Sequence, residues 1–299
     1  MSDDVDTQVE VVVAAGAELG EGPFWDVRSN RIVWVDIKGK AIHQTDPHTG
    51  QTESIEVPLH VGAVAPRALG GFVAALQDGF WVIGDGPLRR VAEVADVDLR
   101  FNDGKCDPGG RFWAGTMAYN KSAGAAALYC LDTDGTVTRV LDGVTISNGL
   151  AWSRNGDTMF YIDSPTQRID SFTFTLSSGA IGERRTVTDI PEQVGSPDGM
   201  TIDAEGGLWV ALWGGGAVHR YVDGRLDRVV TLPVSQPTSC AFGGPDLNEL
   251  YVTSAWNGLS KSQRRGQPLA GALFRIRPGV SGVPPFVYGQ MWRRQPERL

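Results

Sequence analysis

The stretch Gly207-Leu-Trp-Val-Ala-Leu212 is a short apolar run that begins with glycine, and runs of the same kind recur along the chain. Each is rich in Val, Ile, Phe, Tyr or Trp, as β-strands are. The other five are Arg31-Ile-Val-Trp-Val-Asp36, Gly71-Phe-Val-Ala-Ala-Leu76, Arg111-Phe-Trp-Ala-Gly115, Thr158-Met-Phe-Tyr-Ile-Asp163 and Glu249-Leu-Tyr-Val-Thr-Ser254. Their spacing of roughly 40–50 residues falls in the range that is typical of solenoids and propellers.

Each run lies inside a larger repeated unit. In the unit around residue 207, a first segment at Gly199-Met-Thr-Ile202 precedes a polar turn, and a third strand follows at Ala217-Val-His-Arg-Tyr221. A turn and a weaker, more polar strand complete the unit. Six units of four antiparallel strands predict an all-β, six-bladed β-propeller, formed as one domain over residues 1–299. A pair of β-sandwiches is the alternative, but a sandwich has no reason to repeat one pattern six times.

The two ends of the chain bear on how such a ring closes. Gln8-Val-Glu-Val-Val-Val13 alternates like a strand, so we expect it to pair with the last blade around Leu250 and Leu273 and protect its edges. Residues 1–7 and about 290–299 are predicted to be loose termini. The 38 glycines fit this fold, because each blade needs tight turns with positive φ and the inner strands crowd the axis.

Composition excludes several classes of protein. The 299 residues are 41% hydrophobic, too apolar for a disordered chain, and the net charge of −8 argues against nucleic acid as a partner. Three cysteines are too few and too dispersed for a disulfide framework or a Cys-based zinc site, and four histidines lack zinc-site spacing. No apolar stretch reaches the roughly 18–20 residues of a membrane span, and the N-terminus is acidic. We therefore expect a soluble cytoplasmic protein with no membrane partner, as a monomer or weak homo-oligomer.

Four units carry an acid or amide followed by glycine at the same phase, just before the first predicted strand. They are Glu21-Gly22, Asp103-Gly104, Asn148-Gly149 and Asp198-Gly199. Identical phase in a propeller means identical height and radius, so these side chains should converge at one mouth of the central channel. Their oxygen atoms suit a hard divalent cation. Without a cation, acids packed so closely would repel and their pKa values would rise. The alternative is that each pair is an ordinary turn signal.

Other residues recur at different phases. Asp36 and Asp163 end two of the second strands, and we interpret them as turn or cap residues. Most tryptophans fall within strand patterns and are expected to pack between blades. Trp213 and Trp256 lie at strand ends beside glycine and are candidates for lining a pocket. No nucleophile elbow or P-loop is present.

Several motifs together resemble the SMP-30/gluconolactonase/regucalcin family, over about residues 17–285. The matching stretches are Leu19-Gly-Glu-Gly-Pro23, Arg100-Phe-Asn-Asp-Gly-Lys105 with Asp107, Gly110-Arg-Phe-Trp-Ala-Gly-Thr-Met117, Ser147-Asn-Gly-Leu150, Pro197-Asp-Gly-Met-Thr-Ile-Asp-Ala-Glu-Gly206 and Gln236-Pro-Thr-Ser-Cys-Ala-Phe-Gly-Gly244. The resemblance implies a six-bladed propeller with one divalent metal ion at the channel mouth. It also implies roles for individual residues.

The resemblance implies metal ligands at Glu21, Asn148 and Asp198, and substrate contacts at Arg100 and Asn102. Asp103 is expected behind the ligands or on the substrate side. Some family members have an acidic residue after the Gly-Thr-Met segment that touches the sugar. Here that region reads Ala118-Tyr-Asn-Lys121, so Asn120 is the candidate replacement and the identity of the sugar is left open. Ca²⁺ is the favoured ion, with Zn²⁺, Mn²⁺, Mg²⁺ and Fe²⁺ as alternatives.

The implied reaction is hydrolysis of an aldonolactone to the aldonic acid in carbohydrate catabolism, with Asp198 as the catalytic general base beside the metal. Glucono-, xylono-, arabinono- and galactonolactone all suit a small polar pocket. Two alternatives stand beside it. One is an organophosphate or aryl-ester hydrolase on the same scaffold, and the other is a non-catalytic calcium-binding regulatory propeller.

Overall fold

The computed structural model describes residues 8–84, 86–94 and 96–291, and within these residues the strands form six four-stranded antiparallel sheets. The six sheets are arranged as a six-bladed β-propeller, which confirms the predicted fold class. The predicted second strands are all present. Only their bounds differ, most clearly in the third blade, where the strand runs on to Ala118. Of the loose termini predicted at residues 1–7 and about 290–299, residues 1–7 and 292–299 lie outside the described residues.

The blades are numbered from the first inner strand of the chain. Blade 1 holds β2 (Gly20–Asp26), β3 (Arg31–Asp36), β4 (Ala41–Thr45) and β5 (Thr52–Glu56), and blade 2 holds β6 (Val61–Pro66), β7 (Phe72–Leu76), β8 (Gly79–Ile83) and β9 (Arg89–Glu93). Blade 3 holds β10 (Leu99–Cys106), β11 (Phe112–Ala118), β12 (Ala126–Leu131) and β13 (Val137–Val144), and blade 4 holds β14 (Ser147–Trp152), β15 (Thr158–Asp163), β16 (Arg168–Thr175) and β17 (Ala180–Asp189). Blade 5 holds β18 (Ser196–Ile202), β19 (Leu208–Trp213), β20 (Ala217–Val222) and β21 (Arg225–Thr231), and blade 6 holds β22 (Pro237–Gly243), β23 (Glu249–Ser254), β24 (Leu273–Ile276) and β1 (Val9–Val13).

Blade 6 closes the ring by taking its outer strand from the start of the chain. β1 pairs antiparallel with β24, with Val13 opposite Leu273, as the sequence predicted. Leu250, the other predicted neighbour, lies one strand further in, on β23. Glu10 of β1 also accepts hydrogen bonds from Arg275 of β24. The first and last strands therefore share one sheet, in which β1 covers the edge that β24 would otherwise expose.

The inner strands β2, β6, β10, β14, β18 and β22 contact one another in turn around the axis. Large apolar side chains fill the spaces between blades, and Trp113, Trp152 and Trp209 are buried there as predicted. The strands also approach closely. A Cβ on Gly62 of β6 would lie 2.4 Å from the carbonyl carbon of Phe101 on β10. Glycine is therefore required where these two inner strands meet.

Among the described residues, helical structure is confined to short segments. Two 3₁₀ helices, Ser164–Thr166 and Glu192–Val194, follow β15 and β17 of blade 4, and α1 (Lys261–Gly266) lies in the connection between β23 and β24. Ser260 and Gln263 form a capping box at the start of α1. Among the residues that the structure describes, no helix has the length and apolar character to cross a membrane.

Residues 278–291 form an extended strap that the repeat pattern does not predict. The strap hydrogen-bonds to the turns between first and second strands, through Ala204 N–H to Ser281 O and Gly282 N–H to Leu247 O. Further along, Tyr288 N–H donates to Pro66 O. These turns belong to different blades at one end of the ring. The strap therefore crosses the central channel at that end.

Candidate active site

Every inner strand has a break in its pairing register near its start. In the four blades with a predicted site residue, the breaks fall at Glu21/Phe24, Phe101/Asp103, Asn148/Leu150 and Pro197/Met200. A β-bulge of this kind re-aims the side chain beside it. The four residues therefore lie inside the inner strands at bulges, and not just before the strands as the sequence analysis expected. The bulge lets an inner-strand side chain point along the axis.

A pocket of about 400 Å³ opens at the end of the channel opposite the strap. Glu21, Asn148 and Asp198 line it together, although they come from blades 1, 4 and 5. All three side chains are almost completely buried. The other lining residues are Leu19, Arg100, Asn102, Met117, Lys121, Ile146, Ser164, Pro165, Ser196, Trp213 and Asn257. The structure thus brings five of the predicted site residues into one pocket.

The pKa values of the two carboxylates of the pocket, Glu21 and Asp198, are both raised. Burial, followed by repulsion from Asp198 and Asp103, raises the pKa of Glu21 well above its usual range. Burial and the charge of Asp103 do the same to the pKa of Asp198, which Arg100 only partly offsets. Each carboxylate also accepts a hydrogen bond from the amide of the following glycine. Both pKa values therefore shift upward, as the sequence predicts for acids that lie close together without a cation.

Ser164 fixes the orientation of the Asn148 carboxamide. The hydroxyl of Ser164 donates its single proton to the carbonyl oxygen of Pro197 at 2.6 Å, so toward Asn148 it can only accept. Asn148 Nδ2 donates to that hydroxyl at 2.7 Å. The Oδ1 atom of Asn148 must then face the other way, where Asn102 Nδ2 donates to it at 2.8 Å. Ser164, which the sequence analysis did not single out, thus presents an amide oxygen to the pocket.

The donor set fits a hard divalent cation. Two carboxylates and one oriented amide supply oxygen atoms only, which is the ligand type that Ca²⁺, Mg²⁺ and Mn²⁺ prefer. Among the described residues, no group of three or more His, Cys, Asp or Glu side chains converges in metal-binding fashion, so the third donor of this site would be the Asn148 amide. The buried, mutually repelling charges of Glu21 and Asp198 would be relieved by a cation between them.

Arg100 and Asn102 lie side by side at the wall of the pocket. Arg100 Nη1 donates to Asn102 Oδ1 at 2.8 Å and to the carbonyl oxygen of Phe101 at 3.0 Å. Asn102 Nδ2 donates to the carbonyl oxygen of Ser147 as well as to Asn148. Asn102 therefore connects the guanidinium to the amide, and its own polar atoms are already engaged. Arg100 keeps Nε and Nη2 for a ligand.

Asp103 faces a different space. It lines an inner cavity of about 70 Å³ below the pocket, next to Lys105, and the strap residues Val283 to Phe286 close the cavity from the far side. Lys105 Nζ donates to the carbonyl oxygen of Met200 at 2.6 Å. Burial raises the pKa of Asp103, while the Lys105 ammonium opposes that rise. Of the two expected positions for Asp103, the structure gives the one behind Glu21 and Asp198.

The predicted substrate contact Asn120 is not brought into the pocket. Its Oδ1 accepts from the amide and the hydroxyl of Ser122, within its own exposed loop. The next residue, Lys121, does line the pocket. Of the two candidate tryptophans, Trp213 lines the pocket. Trp256 instead stacks against Arg264, with the guanidinium carbon 3.8 Å from the ring centre.

Asp36 and Asp163 hold the segments that lead into the site. Asp36 accepts from the amides of Glu18 and Leu19, at 2.9 and 3.0 Å. Asp163 accepts from the amides of Thr145 and Ile146, at 3.1 and 2.9 Å. Their interpretation as cap residues is confirmed. Because Leu19 and Ile146 each precede a bulge residue by two positions, the caps also position Glu21 and Asn148.

Comparison with known proteins extends these observations. A sequence profile of the SMP-30/Gluconolactonase/LRE-like region matches residues 19–256. Regucalcin of Danio rerio is 40% identical over 94% of this chain and 98% of its own length, and the putative sugar lactone lactonase YvrE of Bacillus subtilis (strain 168) is 38% identical over 90% and 94%. The crystal structure of a calcium-binding protein, regucalcin, from Agrobacterium tumefaciens superposes with a TM-score of 0.91 at 30% identity, covering 95% of this chain and 98% of that one.

Proposed function

The chain belongs to the SMP-30/gluconolactonase/LRE-like family, and on that premise we propose that it is a metal-dependent hydrolase of sugar lactones. Lactone hydrolysis in general is supported by relatives that are named for it. The proposal goes further and takes an aldonolactone of the glucono-, xylono-, arabinono- or galactono- type as substrate and the aldonic acid as product. One observation carries it, namely the convergence of Glu21, Asn148 and Asp198 with Arg100 in one pocket.

In the proposed site, Glu21, Asn148 and Asp198 hold the cation. When bound there, a divalent cation would polarise the lactone carbonyl as a Lewis acid and keep both carboxylates ionised. Ca²⁺ is our first choice because the donors are all oxygen and because one relative, the regucalcin of Agrobacterium tumefaciens, is described as a calcium-binding protein. Zn²⁺, Mn²⁺, Mg²⁺ and Fe²⁺ are the alternatives to be compared.

The side chains of the pocket provide proton transfer and substrate orientation in the proposed reaction. Asp198 accepts the proton of the attacking water as the new carbon–oxygen bond forms and the ring carbon–oxygen bond breaks, and it returns that proton to the leaving alkoxide. Arg100 directs Nε and Nη2 at the substrate and fixes its orientation. Asn102 hydrogen-bonds to both Arg100 and Asn148 and fixes their positions relative to each other. As a direct substrate contact, Asn120 stays a prediction.

The test is a pH-stat assay of acid release across the four aldonolactones, corrected for spontaneous hydrolysis. Protein stripped with a chelator should be inactive, and reloading with one of the candidate ions should restore turnover. We expect Asp198→Asn and Glu21→Gln to lose about 10²- to 10⁴-fold in kcat/KM while they keep their fold. Asp246→Asn, an exposed acid on the opposite end of the ring, is the matched control. Full activity in either site variant would overturn the mechanism.

A calcium-binding protein without catalysis is the second candidate, since the relatives named regucalcin support it. The same preparations separate the two. Calorimetric Ca²⁺ binding that Glu21→Gln abolishes, together with no turnover of any lactone, would favour this candidate. Turnover of phosphotriesters in preference to lactones would favour the organophosphate hydrolase. The cytoplasmic location and the monomeric or weakly oligomeric state stay predictions.

A further inference from the structure

Two cationic side chains line the pocket beside the two carboxylates, Arg100 on the wall and Lys121 at the rim. We propose that the substrate of this site is an anionic lactone, with a carboxylate or phosphate that Lys121 and Arg100 bind. The inference rests on the proposed lactonase function and takes its preferred substrate to be a sugar lactone that carries an anionic group, in place of the neutral aldonolactones named above.

Lys121 is held over the pocket by its own loop. Its amide donates to the carbonyl oxygen of Ala118 at 2.9 Å, and the adjacent Asn120 closes a turn onto Ser122. The hydroxyl of Tyr119 and His60 Nδ1 lie 2.6 Å apart, which ties the loop to blade 2. The loop is therefore anchored on both sides of Lys121, and the exposed Lys121 side chain lines the pocket mouth.

Lys121 forms no ion pair within the described part of the protein. Its positive charge is therefore available to a ligand. Lys38, another lysine at this end of the ring, differs in this respect. Its Nζ lies 3.2 Å from Glu18 Oε1 and donates to Asn257 Oδ1 at 2.7 Å. Lys38 is thus already neutralised, whereas Lys121 faces the pocket with its charge available.

Arg100 supplies the second contact. It is 6% exposed, and both of its hydrogen bonds to the described residues use Nη1. Burial lowers the pKa of Arg100, and the nearby Glu21 carboxylate opposes that fall. A guanidinium with Nε and Nη2 unengaged offers the paired donors that a carboxylate or phosphate accepts.

The net charge of the pocket also favours an anionic substrate. The charged residues that line the pocket are Glu21, Asp198, Arg100 and Lys121, so their formal charges cancel. A divalent cation held by the predicted ligands would leave an excess of two positive charges. Negative charge that develops on the lactone carbonyl oxygen offsets one of them. An anionic group on the substrate offsets the other, whereas a neutral lactone leaves it uncompensated in a partly buried site.

The experiment compares lactones that differ only at the end remote from the ring carbonyl. An aldonolactone with a terminal hydroxymethyl group, the matching aldarolactone with a carboxylate, and the matching phosphate ester are assayed with the metal-loaded protein. We expect kcat/KM for one anionic form to exceed that for the neutral form by about 10-fold or more. The better of the two anions identifies the group. Added NaCl should reduce this preference.

Variants assign the preference to the proposed residue. Lys121→Gln should lower the ratio of anionic to neutral kcat/KM about 10-fold, and Lys121→Glu should lower it further. Lys40→Gln removes the same charge from an exposed lysine of the same end that does not line the pocket, and it should leave the ratio unchanged. Equal kcat/KM for all three lactones, or an unchanged ratio in Lys121→Gln, would overturn the inference.

A binding measurement separates this inference from the proposed function. Calorimetry with the open-chain aldarate and aldonate should show tighter binding of the aldarate, and Lys121→Gln should remove the difference. If the wild-type protein hydrolyses none of the lactones, the proposed function fails. The aldarate preference and its loss in Lys121→Gln would still support an anion-binding pocket, and equal binding of both acids would refute it.

Discussion

Ser164 is a small residue whose hydroxyl determines how the pocket presents an amide. It accepts from Asn148 Nδ2 because its own proton is committed to the carbonyl oxygen of Pro197. We predict that Ser164→Ala frees the Asn148 carboxamide to rotate and weakens divalent-cation affinity or activity about 10- to 100-fold. Calorimetric titration with Ca²⁺ and the lactone assay would both measure this loss.

Ser171→Ala is the matched control, because Ser171 lies on the outer part of blade 4 and, within the described residues, its hydroxyl donates only to the carbonyl oxygen of Arg185, at 3.4 Å. A Ser164→Ala protein with wild-type cation affinity would show that the Asn148 amide is oriented by other contacts.

The raised pKa of Glu21 has a consequence for the stability of the metal-free protein. Folded Glu21 holds its proton more tightly than unfolded Glu21, whose ordinary value is 4.5. This contribution to stability is present at low pH and is lost as the pH rises above 4.5 toward the raised value. We predict that Glu21→Gln, with a chelator present, stabilises the protein at pH 8 by about 0.5–2 kcal/mol and has little effect at pH 4.5.

Thermal unfolding at the two pH values measures the effect, with Glu56→Gln on outer strand β5 as an exposed control. Equal melting temperatures of Glu21→Gln and wild type at pH 8 would contradict the prediction. Added Ca²⁺ should raise the melting temperature of the wild type more than that of the variant, since only the wild type keeps the full ligand set.

Glu21, Asn148 and Asp198 could be predicted from the sequence because all three occupy the same position in a repeated unit. Equivalent positions of the units lie at the same height and radius in the ring, so these side chains meet. Ser164 and Lys121 could not be found in this way. Both lie in connections between second and third strands, which differ in length and sequence from blade to blade. Asn120 was carried over from a family pattern, and a neighbouring residue reaches the pocket in its place.

At the scale of the strand, Gly62 on β6 shows how closely the inner strands pack. A Cβ there would meet the backbone of Phe101 and Asn102 at 2.4 to 2.7 Å. Backbone atoms cannot move aside as the end of a side chain can. We predict that Gly62→Ala destabilises the protein by about 1–3 kcal/mol and lowers lactonase activity, because it displaces the strand segment that carries Asn102.

Gly84→Ala provides the comparison, since no described residue beyond its chain neighbours has an atom within 4 Å of the Cβ that it would add. Chemical denaturation and the lactone assay on both variants would measure the two effects. Unfolding of Gly62→Ala at the wild-type denaturant concentration would show that β6 and β10 leave room for a Cβ between them.

The presence of the strands could be predicted from the sequence, but the bulges within them could not. The six second strands were visible because apolar runs recur between turn residues. The bulges beside Glu21 and Asp198 were not visible, because Glu-Gly and Asp-Gly are also ordinary turn sequences. From the sequence, these residues were therefore predicted to lie just before the strands that in fact contain them. Cross-strand pairing, which sequence periodicity does not report, decides between a turn and a bulge.

For the whole molecule, the strap lies at the end of the ring opposite the pocket, so we expect it to contribute to stability and not to the proposed lactone hydrolysis. Phe286 is half-buried against the inner cavity and packs between core clusters of blades 2, 3 and 4, far from the pocket residues. We predict that Phe286→Ala lowers the free energy of unfolding by about 1.5–3 kcal/mol and leaves kcat/KM for lactones within about twofold of wild type.

Met291→Ala removes a side chain that is 61% exposed, and it should change neither quantity. Loss of lactonase activity in Phe286→Ala without loss of stability would show that the strap end of the channel contributes to the reaction. The strap itself was not predicted, because residues 278–291 belong to no repeat and bond turns in four different blades.

The pairing of β1 with β24 also bears on how the protein is made. Blades 1 to 5 each consist of consecutive strands, so each can form soon after its own residues leave the ribosome. Blade 6 joins Glu10 to Arg275, which are 265 residues apart. Closing so long a loop is slow, and a chain that has not closed it exposes unpaired strand edges. We therefore expect the nascent chain to be most prone to aggregation just before its last blade is synthesised.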